Sequence, residues 1–354
     1  MASDSLVAET ARRIFNDVCD PQAVNRAADD SWMAPAWRAL EEAGLPLALV
    51  PETLGGGGAD LADGFAVLRE AGRAAVPLPV AETLLAGWLL AQAGIASPKG
   101  TMTLAPAQAG DKVLLAASGT LSGRLRAVPQ AKAASHLVIH AVREQGGTAV
   151  ALVEAAAAEI ADGKSLAGDA RNAVHLEGTR PLAVEIAPPG LDPHAHMLMG
   201  GAARAMQMAG ALEAILDITV AYANERVAFG RPIGKFQAVQ QNLARLAGEV
   251  AAALAAAGSA ADTMATAEMS DDGAFLEVAS AKIRVGEAAG VGAAIAHQVL
   301  GAIGFTKEHV LHRYTQRLWA WRDDFGSESQ WAVKLGQHVA AKGADALWPM
   351  LATR

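Results

Sequence analysis

The spacing of apolar residues divides the chain into three zones. Residues 1–103 show helical spacing that is interrupted by Pro and Gly, as at Gly55–Gly58. Between 104 and 192 the apolar residues instead fall into short branched runs separated by Gly-rich turns, a pattern typical of β-strands. From 193 to 354 long helical stripes return. The pattern predicts an N-terminal helical domain, a small middle β domain and a C-terminal helical domain.

Five short segments carry the β pattern of the middle zone. They are 112–116, 136–142, 148–153, 173–176 and 182–186. Each is rich in branched apolar residues and is separated from the next by turn residues, so we expect one strand in each.

Long amphipathic segments dominate the last zone. On one of them, apolar residues recur at spacings of three and four and so share one helix face: Val239, Leu243, Leu246, Val250 and Leu254. Segments of similar length cover 201–223, 274–300 and 329–349. Four long helices with short connections predict a four-helix bundle. The expected fold class is therefore α+β, mainly helical, with the bundle as the C-terminal domain.

Composition narrows the function classes. The chain has 354 residues and is 52% hydrophobic, which suits a packed globular protein, and its formal net charge of −8 argues against non-specific nucleic-acid binding. Cys19 is the only cysteine, so an internal disulfide is excluded and a reducing compartment fits best. No apolar stretch follows basic residues near the N-terminus, and the apolar tract 247–262 is short and interrupted by Glu249. We expect a cytoplasmic protein without a membrane span, in which this tract is a buried helix.

The segment 224–244 is the most informative part of the sequence. Arg226 lies at the predicted end of one bundle helix, Phe229-Gly230 and Gly234 form a bend, and Gln237 begins the next helix. A guanidinium can bind a diphosphate through two parallel hydrogen bonds, and a nearby amide can donate to and accept from an adenosine. A surface ion pair between Arg226 and Glu225 is the simpler alternative.

At these residues the chain resembles the acyl-CoA dehydrogenase family. Arg226, Phe229, Gly230 and Gln237 match the family's Arg-x-x-Phe-Gly motif and the glutamine that follows it. The stretch 298–306, QVLGAIGFT, matches Gln-x-x-Gly-Gly-x-Gly-Phe, with Ala302 in place of the second glycine. A weaker match covers 39–63 in the N-terminal zone.

The resemblance implies an FAD-dependent oxidoreductase that acts on an acyl-CoA substrate and passes electrons to an electron-transferring flavoprotein. In that family FAD lies between two subunits, so Arg226, Gln237, Gln298 and Gly301 are implied to contact the FAD of a neighbouring subunit, with Phe229 in the same motif. Glycines at 301 and 304 would let the backbone approach a nucleotide closely.

The expected catalytic base is missing from its usual positions. The chemistry requires a carboxylate that removes the proton alpha to the thioester. A gapless count from Gln298 places that residue at Phe325, and the family's alternative position falls near Gly200 and Gly201. Asp324 adjoins the first position and is the candidate base if the backbone shifts by one residue. An N-cap of the following helix or an ion pair with Arg322 is the alternative role for Asp324.

The middle zone also departs from the family. Residues 102–115 lack the Thr-Glu-Pro-x-x-Gly-Ser-Asp text that holds flavin and acyl-CoA in complete relatives. The asymmetry resembles the short subunit of hetero-oligomeric acyl-CoA dehydrogenases, including those acting on steroid side chains. Three hypotheses follow: a base-lacking subunit that works with a longer partner, a self-sufficient homo-oligomer with Asp324 as base, and a catalytically silent scaffold.

Two further groups of residues invite a chemical interpretation. His309 with His312 and His194 with His196 lack a third ligand at suitable spacing, so no metal site is predicted. An aromatic group near the C-terminus is expected to pack in the core or at an interface, with a wall against a flavin or a large apolar substrate as the alternative. Its members are Trp319, Trp321, Trp331 and Phe325.

Overall fold

The computed structural model describes residues 5–27, 31–106, 110–266 and 271–352. Helices, then a β-sheet, then a helical bundle follow one another along the chain. The predicted fold class is confirmed: the protein is α+β and mainly helical, with a small sheet between two helical parts.

The N-terminal part is built from helices that are capped by polar side chains. Ser5, Asp20 and Asp60 each accept a hydrogen bond from a backbone N–H in the first turn of the helix that follows. The last of these helices is buried on almost every side, as expected for a helix that is apolar all round. The helices in the described ranges are α1 (Leu6–Val18), α2 (Pro21–Arg26), α3 (Met33–Glu42), α4 (Leu61–Arg73) and α5 (Val80–Gln92).

A single mixed sheet forms the middle of the molecule, and its own apolar core is separate from that of the helices. The strands in the described ranges are β1 (Met102–Leu104), β2 (Lys112–Leu115), β3 (Leu121–Pro129), β4 (His136–Arg143), β5 (Thr148–Glu154), β6 (Glu159–Ala161), β7 (Arg171–Thr179) and β8 (Ala183–Ile186). Their order is β6-β7-β3-β2-β4-β5-β8, with β1 pairing parallel to β4 at the opposite end of that strand from β2.

All five predicted strands are present, but the sequence pattern does not predict β1, β3 or β6. The strand β3 is the longest of these, and Gly123, Arg124 and Arg126 interrupt its apolar alternation. Its register against β7 shifts between Leu125 and Val128, where Ala127 has a φ of +54°. A bulge breaks the period of two on which strand prediction depends.

The C-terminal part contains the predicted long helices. They are α6 (Pro193–Glu225), α7 (Gln237–Thr266), α8 (Asp272–Leu300) and α10 (Glu328–Lys342), with the shorter α9 (Leu311–Trp321) and α11 (Ala344–Ala352). The sequence pattern does not predict α9, and the expected helix 329–349 is divided at Gly343, whose φ is +85°. The helices α6, α7 and α8 pack against one another.

The apolar stripe of α7 faces the bundle as predicted. Leu246 and Val250 are buried, whereas Val239, Leu243 and Leu254 are partly buried against the same core. The tract 247–262 is nevertheless covered along one face only, because the other face of α7 is exposed. By length and composition alone, α7 and the helical stretch that begins with α8 could cross a membrane, a test that core helices of soluble proteins also pass.

Candidate functional site

The five residues of the two family-like motifs lie at one end of the bundle. We call Arg226, Phe229, Gln237, Gln298 and Gly301 the bundle-end surface. Because α6, α7 and α8 run antiparallel in turn, the end of α6, the start of α7 and the end of α8 meet there. The ring contact between Tyr222 and His309, at 6.2 Å, joins the end of α6 to the segment after α8.

A two-residue hairpin presents Arg226 and Phe229. The short strands β9 (Val227–Ala228) and β10 (Arg231–Pro232) pair antiparallel, and Phe229 and Gly230 form the turn with φ values of +53° and +79°. Positive φ at both turn positions is the geometry of a type I′ hairpin, whose twist matches that of the strands. Phe229 is 95% exposed and makes an edge contact with Phe236 at 6.1 Å. The hairpin therefore exposes an aromatic ring to solvent on a residue whose positive φ is unfavourable for a side chain with a Cβ.

A second turn presents Gln298 and Gly301. The N–H of Gly301 donates to the carbonyl of His297, and its φ of +65° with ψ of −144° suits glycine alone. No atom lies within 4 Å of where its Cβ would be, so the space beside Gly301 is open. At Gly304, by contrast, a Cβ would press against Leu300 and Leu311, so this glycine serves internal packing and not the approach of a nucleotide.

The polar side chains of the bundle-end surface are free to bind. Arg226, Gln237 and Gln298 are exposed, and none of them forms a side-chain hydrogen bond or ion pair with another described residue. The alternative of an ion pair between Arg226 and Glu225 is thus absent among the described residues. An exposed guanidinium, two exposed amides and an open glycine fit a nucleotide diphosphate bound from outside this chain.

A second group of charged residues lies where the three parts of the protein meet. We call Glu82, Arg171, Arg204, Lys282 and Asp324 the junction cluster. They come from α5, β7, α6, α8 and the α9–α10 loop, and all five side chains are buried or nearly so.

Asp324 lies at the centre of the junction cluster. Its two carboxylate oxygens lie 2.5 Å from the two terminal nitrogens of Arg171, and one of them lies 3.1 Å from Nη2 of Arg204. That same nitrogen of Arg204 donates to Glu82 at 2.7 Å. Burial lowers the pKa of Arg171, but Asp324, Glu82 and Asp169 raise it by more, so the net shift is upward. Both carboxylates of the cluster are therefore paired with buried guanidinium groups.

Neither alternative role predicted for Asp324 is found. Ser327 caps α10 in a capping box with Gln330, and Arg322 forms its ion pair with Glu328. Asp324 instead pairs with Arg171 of the β domain, 153 residues earlier in the chain. Its carboxylate is fully buried.

Lys282 fixes the backbone of the loop that carries Asp324. Its Nζ donates to the carbonyls of Arg322 and Asp324, at 3.1 and 2.8 Å. Burial lowers the pKa of Lys282 to about 7, with Arg204 and Arg322 adding to the effect and Asp324 opposing it.

The two expected positions of the catalytic base meet in space. Phe325 is 2% exposed, and its ring lies directly over Gly200, where any Cβ would overlap it. Its N–H donates to the carbonyl of Pro106, and its own carbonyl accepts from Nε1 of Trp331. An aromatic ring thus fills the space between the two positions at which the resemblance predicts a carboxylate. The adjoining segment 107–109 lies outside the described residues.

Little space remains beside the ion pairs of the junction cluster. A cavity of about 30 Å³, the volume of roughly one water molecule, is lined by Glu82, Arg171, Arg204 and Trp321 among others. It adjoins a surface groove of about 1000 Å³ beside Gln130, which residues of all three parts of the protein line.

The predicted aromatic group divides between two places. Trp321, Trp331 and Phe325 are buried near the junction, with the guanidinium of Arg204 at 5.6 Å from the ring of Trp321. Trp319 instead faces the ring of His297 at 6.2 Å. Within the described part of the chain, no group of three His, Cys, Asp or Glu side chains is placed to hold a metal ion.

Sequence reasoning missed four members of the junction cluster. Glu82, Arg171, Arg204 and Lys282 belong to no local motif. The available signal was the charge itself, because Arg204 and Lys282 interrupt otherwise apolar bundle helices, and such charges are seldom buried without partners.

Two family models match most of the helical parts of the chain. The model described as acyl-CoA dehydrogenase, N-terminal domain, matches residues 2–102. The model described as acyl-CoA dehydrogenase, C-terminal domain, matches residues 195–322.

Similar proteins span nearly the whole chain. The acyl-CoA dehydrogenase IpdE2 of Mycobacterium tuberculosis is 30% identical over 315 residues, which are 88% of this chain and 89% of the relative. The acyl-CoA dehydrogenase FadE34 of the same organism is 32% identical over 325 residues, covering 85% of this chain but 41% of the relative. A solved variant of the Tcur3481–Tcur3483 steroid ACAD has a TM-score of 0.82 at 26% identity, covering 95% of this chain and 97% of that one. This chain belongs to the acyl-CoA dehydrogenase family.

Proposed function

We propose that this chain is the base-lacking subunit of a hetero-oligomeric acyl-CoA dehydrogenase. Members of this family are FAD-dependent oxidoreductases that introduce a double bond next to the thioester of an acyl-CoA. In our proposal this chain completes an FAD site that lies mainly in a longer partner, and the partner supplies the catalytic carboxylate.

The observation that carries the proposal is the contrast between the two ends of the bundle. At one end, Arg226, Gln237 and Gln298 are exposed without partners, as an incomplete binding surface would be. Further along, Phe325 fills the base position over Gly200 and leaves no carboxylate there. The first feature favours contact with another chain's cofactor, and the second argues against chemistry within this chain.

Each residue of the bundle-end surface has a defined task in this proposal. Arg226 donates two parallel hydrogen bonds to a diphosphate, and Gln237 and Gln298 donate to and accept from the nucleoside. Gly301 lets the backbone approach without a Cβ. Phe229 covers the bound group and excludes water. When bound, FAD accepts the hydride that leaves the β carbon of the thioester.

The geometry of Asp324 disfavours a self-sufficient enzyme. A general base needs a free lone pair within hydrogen-bonding reach of the proton it removes. Both oxygens of Asp324 face guanidinium nitrogens at 2.5–3.1 Å, and the carboxylate is fully buried.

Two of the similar proteins support a choice of partner and of substrate class for this chain. The match to FadE34 leaves more than half of that relative outside the aligned region, enough for a second unit of this size in one polypeptide. The neighbour described as a steroid ACAD carries two chain names, Tcur3481 and Tcur3483. On these grounds we propose a bulky, steroid-type acyl-CoA substrate. We further propose a cytoplasmic assembly and an electron-transferring flavoprotein as electron acceptor.

Co-expression tests the proposal. The full chain is purified alone and together with a longer acyl-CoA dehydrogenase-like subunit from the same genome, and bound flavin and acyl-CoA oxidation are measured. We expect the chain alone to be colourless and inactive, and the assembly to be yellow and active with one flavin per pair of chains. A yellow, active preparation of this chain alone would overturn the proposal.

The variant Asp324→Asn separates the proposal from the self-sufficient alternative. In the assembly we expect turnover per bound flavin to stay within about threefold of the wild-type value at a temperature where the variant is folded, because the base lies in the partner. If Asp324 were the base, turnover would fall by a factor of roughly 100 or more at unchanged flavin content. The thermal midpoint of unfolding, measured in parallel, identifies any loss that is due to instability.

A further inference from the structure

The junction cluster connects all three parts of the protein. Glu82 belongs to the N-terminal helices, Arg171 begins the strand β7, and Arg204 and Lys282 lie within the two central bundle helices. Asp324 on the α9–α10 loop binds two of them directly, and its backbone carbonyl binds a third.

Four of the five charged groups in the junction cluster pair with one another, whereas Lys282 binds backbone carbonyls. Two guanidinium groups, from Arg171 and Arg204, face two carboxylates, from Glu82 and Asp324, at 2.5–3.1 Å. Gln207 accepts a further hydrogen bond from Arg204. Buried charges are tolerated only when they are paired in this way, and the removal of one partner leaves an uncompensated charge.

Little free volume lies beside the cluster. The cavity beside it measures about 30 Å³, whereas pockets for small molecules and cofactors occupy roughly 300–1000 Å³. Phe325 closes the same space from the side of Gly200. The wider groove beside Gln130 shares its wall with this cavity but lies outside the ion pairs.

We infer that the junction cluster fills the space around Asp324 in this chain: its ion pairs hold the β domain and the N-terminal helices against the bundle and leave no room among them for a flavin ring or an acyl chain. The inference does not depend on the bundle-end surface, because it concerns only contacts within this chain.

Lys282 is a positioning residue in this arrangement. Its two hydrogen bonds to the carbonyls of Arg322 and Asp324 hold the loop that points Asp324 at Arg171. The same loop places Phe325 over Gly200.

Calorimetry of the full chain tests the coupling of the three parts. The wild type is expected to unfold in one transition. In the variant Arg171→Met, which keeps most of the side-chain volume, we expect the β domain to unfold separately, at a midpoint lower by roughly 5–10 °C. The matched control is Lys132→Met, because Lys132 pairs with Asp162 in an exposed contact within the β domain. We expect that control to keep one transition within about 1 °C of the wild type.

The double variant Arg171→Met with Asp324→Asn checks that the effect comes from the ion pair. Removing both partners leaves fewer unpaired charges than removing one, so its midpoint should drop by clearly less than the sum of the two single drops. If a single variant fails to fold, the conservative Arg171→Lys is expected to restore a single transition at a midpoint between those of wild type and Arg171→Met. Additive single effects, or one unshifted transition in Arg171→Met, would overturn the inference.

Ligand protection tests the closure of the junction. The thermal midpoint of the wild-type chain alone is measured with FAD, FMN and a long-chain acyl-CoA, each at 1 mM. We expect shifts below about 1 °C, since a ligand stabilises only a fold to which it binds. A shift of 3 °C or more that persists in Arg226→Ala would show an open junction and contradict this inference. A shift that disappears in Arg226→Ala would instead report binding at the bundle-end surface.

Discussion

At the scale of single residues, Phe229 and Phe325 share a backbone conformation that is costly for any residue with a Cβ. Their φ values are +53° and +54°, in the left-handed region, where the cost is roughly 1–2 kcal/mol. Such strain persists where the surroundings over-determine it, and it is concentrated at functional sites. Phe325 is held by hydrogen bonds of its N–H and its carbonyl, whereas Phe229 is held by the hairpin alone.

The contact between Phe325 and Gly200 predicts a steric effect on stability. The change Gly200→Ala places a methyl group inside the ring of Phe325, so the free energy of unfolding should fall by about 1–3 kcal/mol. The matched control is Gly248→Ala on α7, where no atom lies within 4 Å of the new Cβ. There we expect a gain of about 0.5–1 kcal/mol from helix propensity. Urea unfolding of the wild type and the two variants measures these free energies. Equal effects of the two changes would contradict the contact between Gly200 and the ring of Phe325.

Local motifs made part of this site predictable from sequence. The placement of Arg226, Gln237 and Gln298 at one end of the bundle follows from helix order and length, and the loss of a carboxylate at position 325 follows from counting. The pairing of Asp324 with Arg171 could not be predicted in this way, because 153 residues separate them and β7 approaches the bundle only in the folded chain. Asp324 and Arg171 come into contact only when folding buries both side chains at the same place.

At the scale of elements, the hairpin between α6 and α7 carries a residue, Phe229, that does not favour the stability of the hairpin itself. Its turn needs positive φ at two positions, which Asn-Gly satisfies at lower cost than Phe-Gly. Phe229 is therefore retained at a position where its own conformation disfavours it, and its 95% exposed ring contributes little to the core. A contact outside this chain is the physical reason that fits.

The variant Phe229→Asn should affect the stability of the chain and its binding of flavin in opposite directions. We expect the free energy of unfolding of the chain alone to stay equal or to rise by up to about 1 kcal/mol, because the turn strain is relieved. In the assembly with the longer subunit, the same change should weaken flavin retention. Urea unfolding measures the first effect, and flavin release during gel filtration measures the second. A loss of stability without a change in flavin retention would show that the ring serves only this fold.

Two histidines, His196 buried and His140 partly buried, connect the sheet to the bundle. His140 on β4 and His196 on α6 stack at 5.8 Å between ring centroids. Burial lowers the pKa of His196 to about 3, and the neighbouring His140 adds to this effect. Burial also lowers the pKa of His140, although Asp192 and the carbonyl of Leu191 oppose it. The ring of His196 therefore remains neutral in the folded protein at moderately acidic pH.

This pair predicts a loss of stability in acid. Below a pH of about 6.5 the unfolded chain takes up protons that folded His196 refuses until about pH 3, so the free energy of unfolding falls as pH falls through this range. The slope approaches about 1.4 kcal/mol per pH unit for each such histidine. In His196→Gln we expect the slope of the free energy of unfolding between pH 6.5 and 4.5 to decrease by up to about 1.4 kcal/mol per pH unit, which corresponds to one proton.

The exposed His175 provides the control for the acid series. It lies on β7 with its side chain about half exposed, and His175→Gln is recorded alongside His196→Gln as the same change at an exposed position. Urea midpoints recorded across the pH range give both slopes. An unchanged slope in His196→Gln would mean that this ring is protonated in the folded state.

Element prediction succeeded where the apolar period was unbroken. The long helices α7 and α8 follow their stripes, and the strands β4 and β5 follow their branched runs. The strand β3 was not predicted because charged residues and a bulge interrupt its apolar alternation. The helix α9 was not predicted because it is short and its polar residues obscure the apolar stripe. Tertiary contacts stabilise these elements more than their own sequence does.

At the scale of the whole molecule, the protein has an open surface at one end of its bundle and a closely packed junction cluster between its three parts. In the proposed cross-subunit arrangement, a homo-oligomer of this chain would bring the bundle-end surfaces to this cluster, beside which the cavity measures only about 30 Å³. A partner with an open junction would use those surfaces. The asymmetry within one chain therefore predicts a complex of two different chains.

The dissociation constant of FAD from the assembled protein tests the cross-subunit contact most directly. It is measured by flavin fluorescence for the wild type, for Arg226→Ala and for Arg180→Ala, an exposed arginine on the β domain that serves as control. Loss of charge-assisted hydrogen bonds should raise the constant roughly 10- to 100-fold in Arg226→Ala and leave Arg180→Ala within twofold of the wild type. Equal constants in all three proteins would contradict the role proposed here for the bundle-end surface.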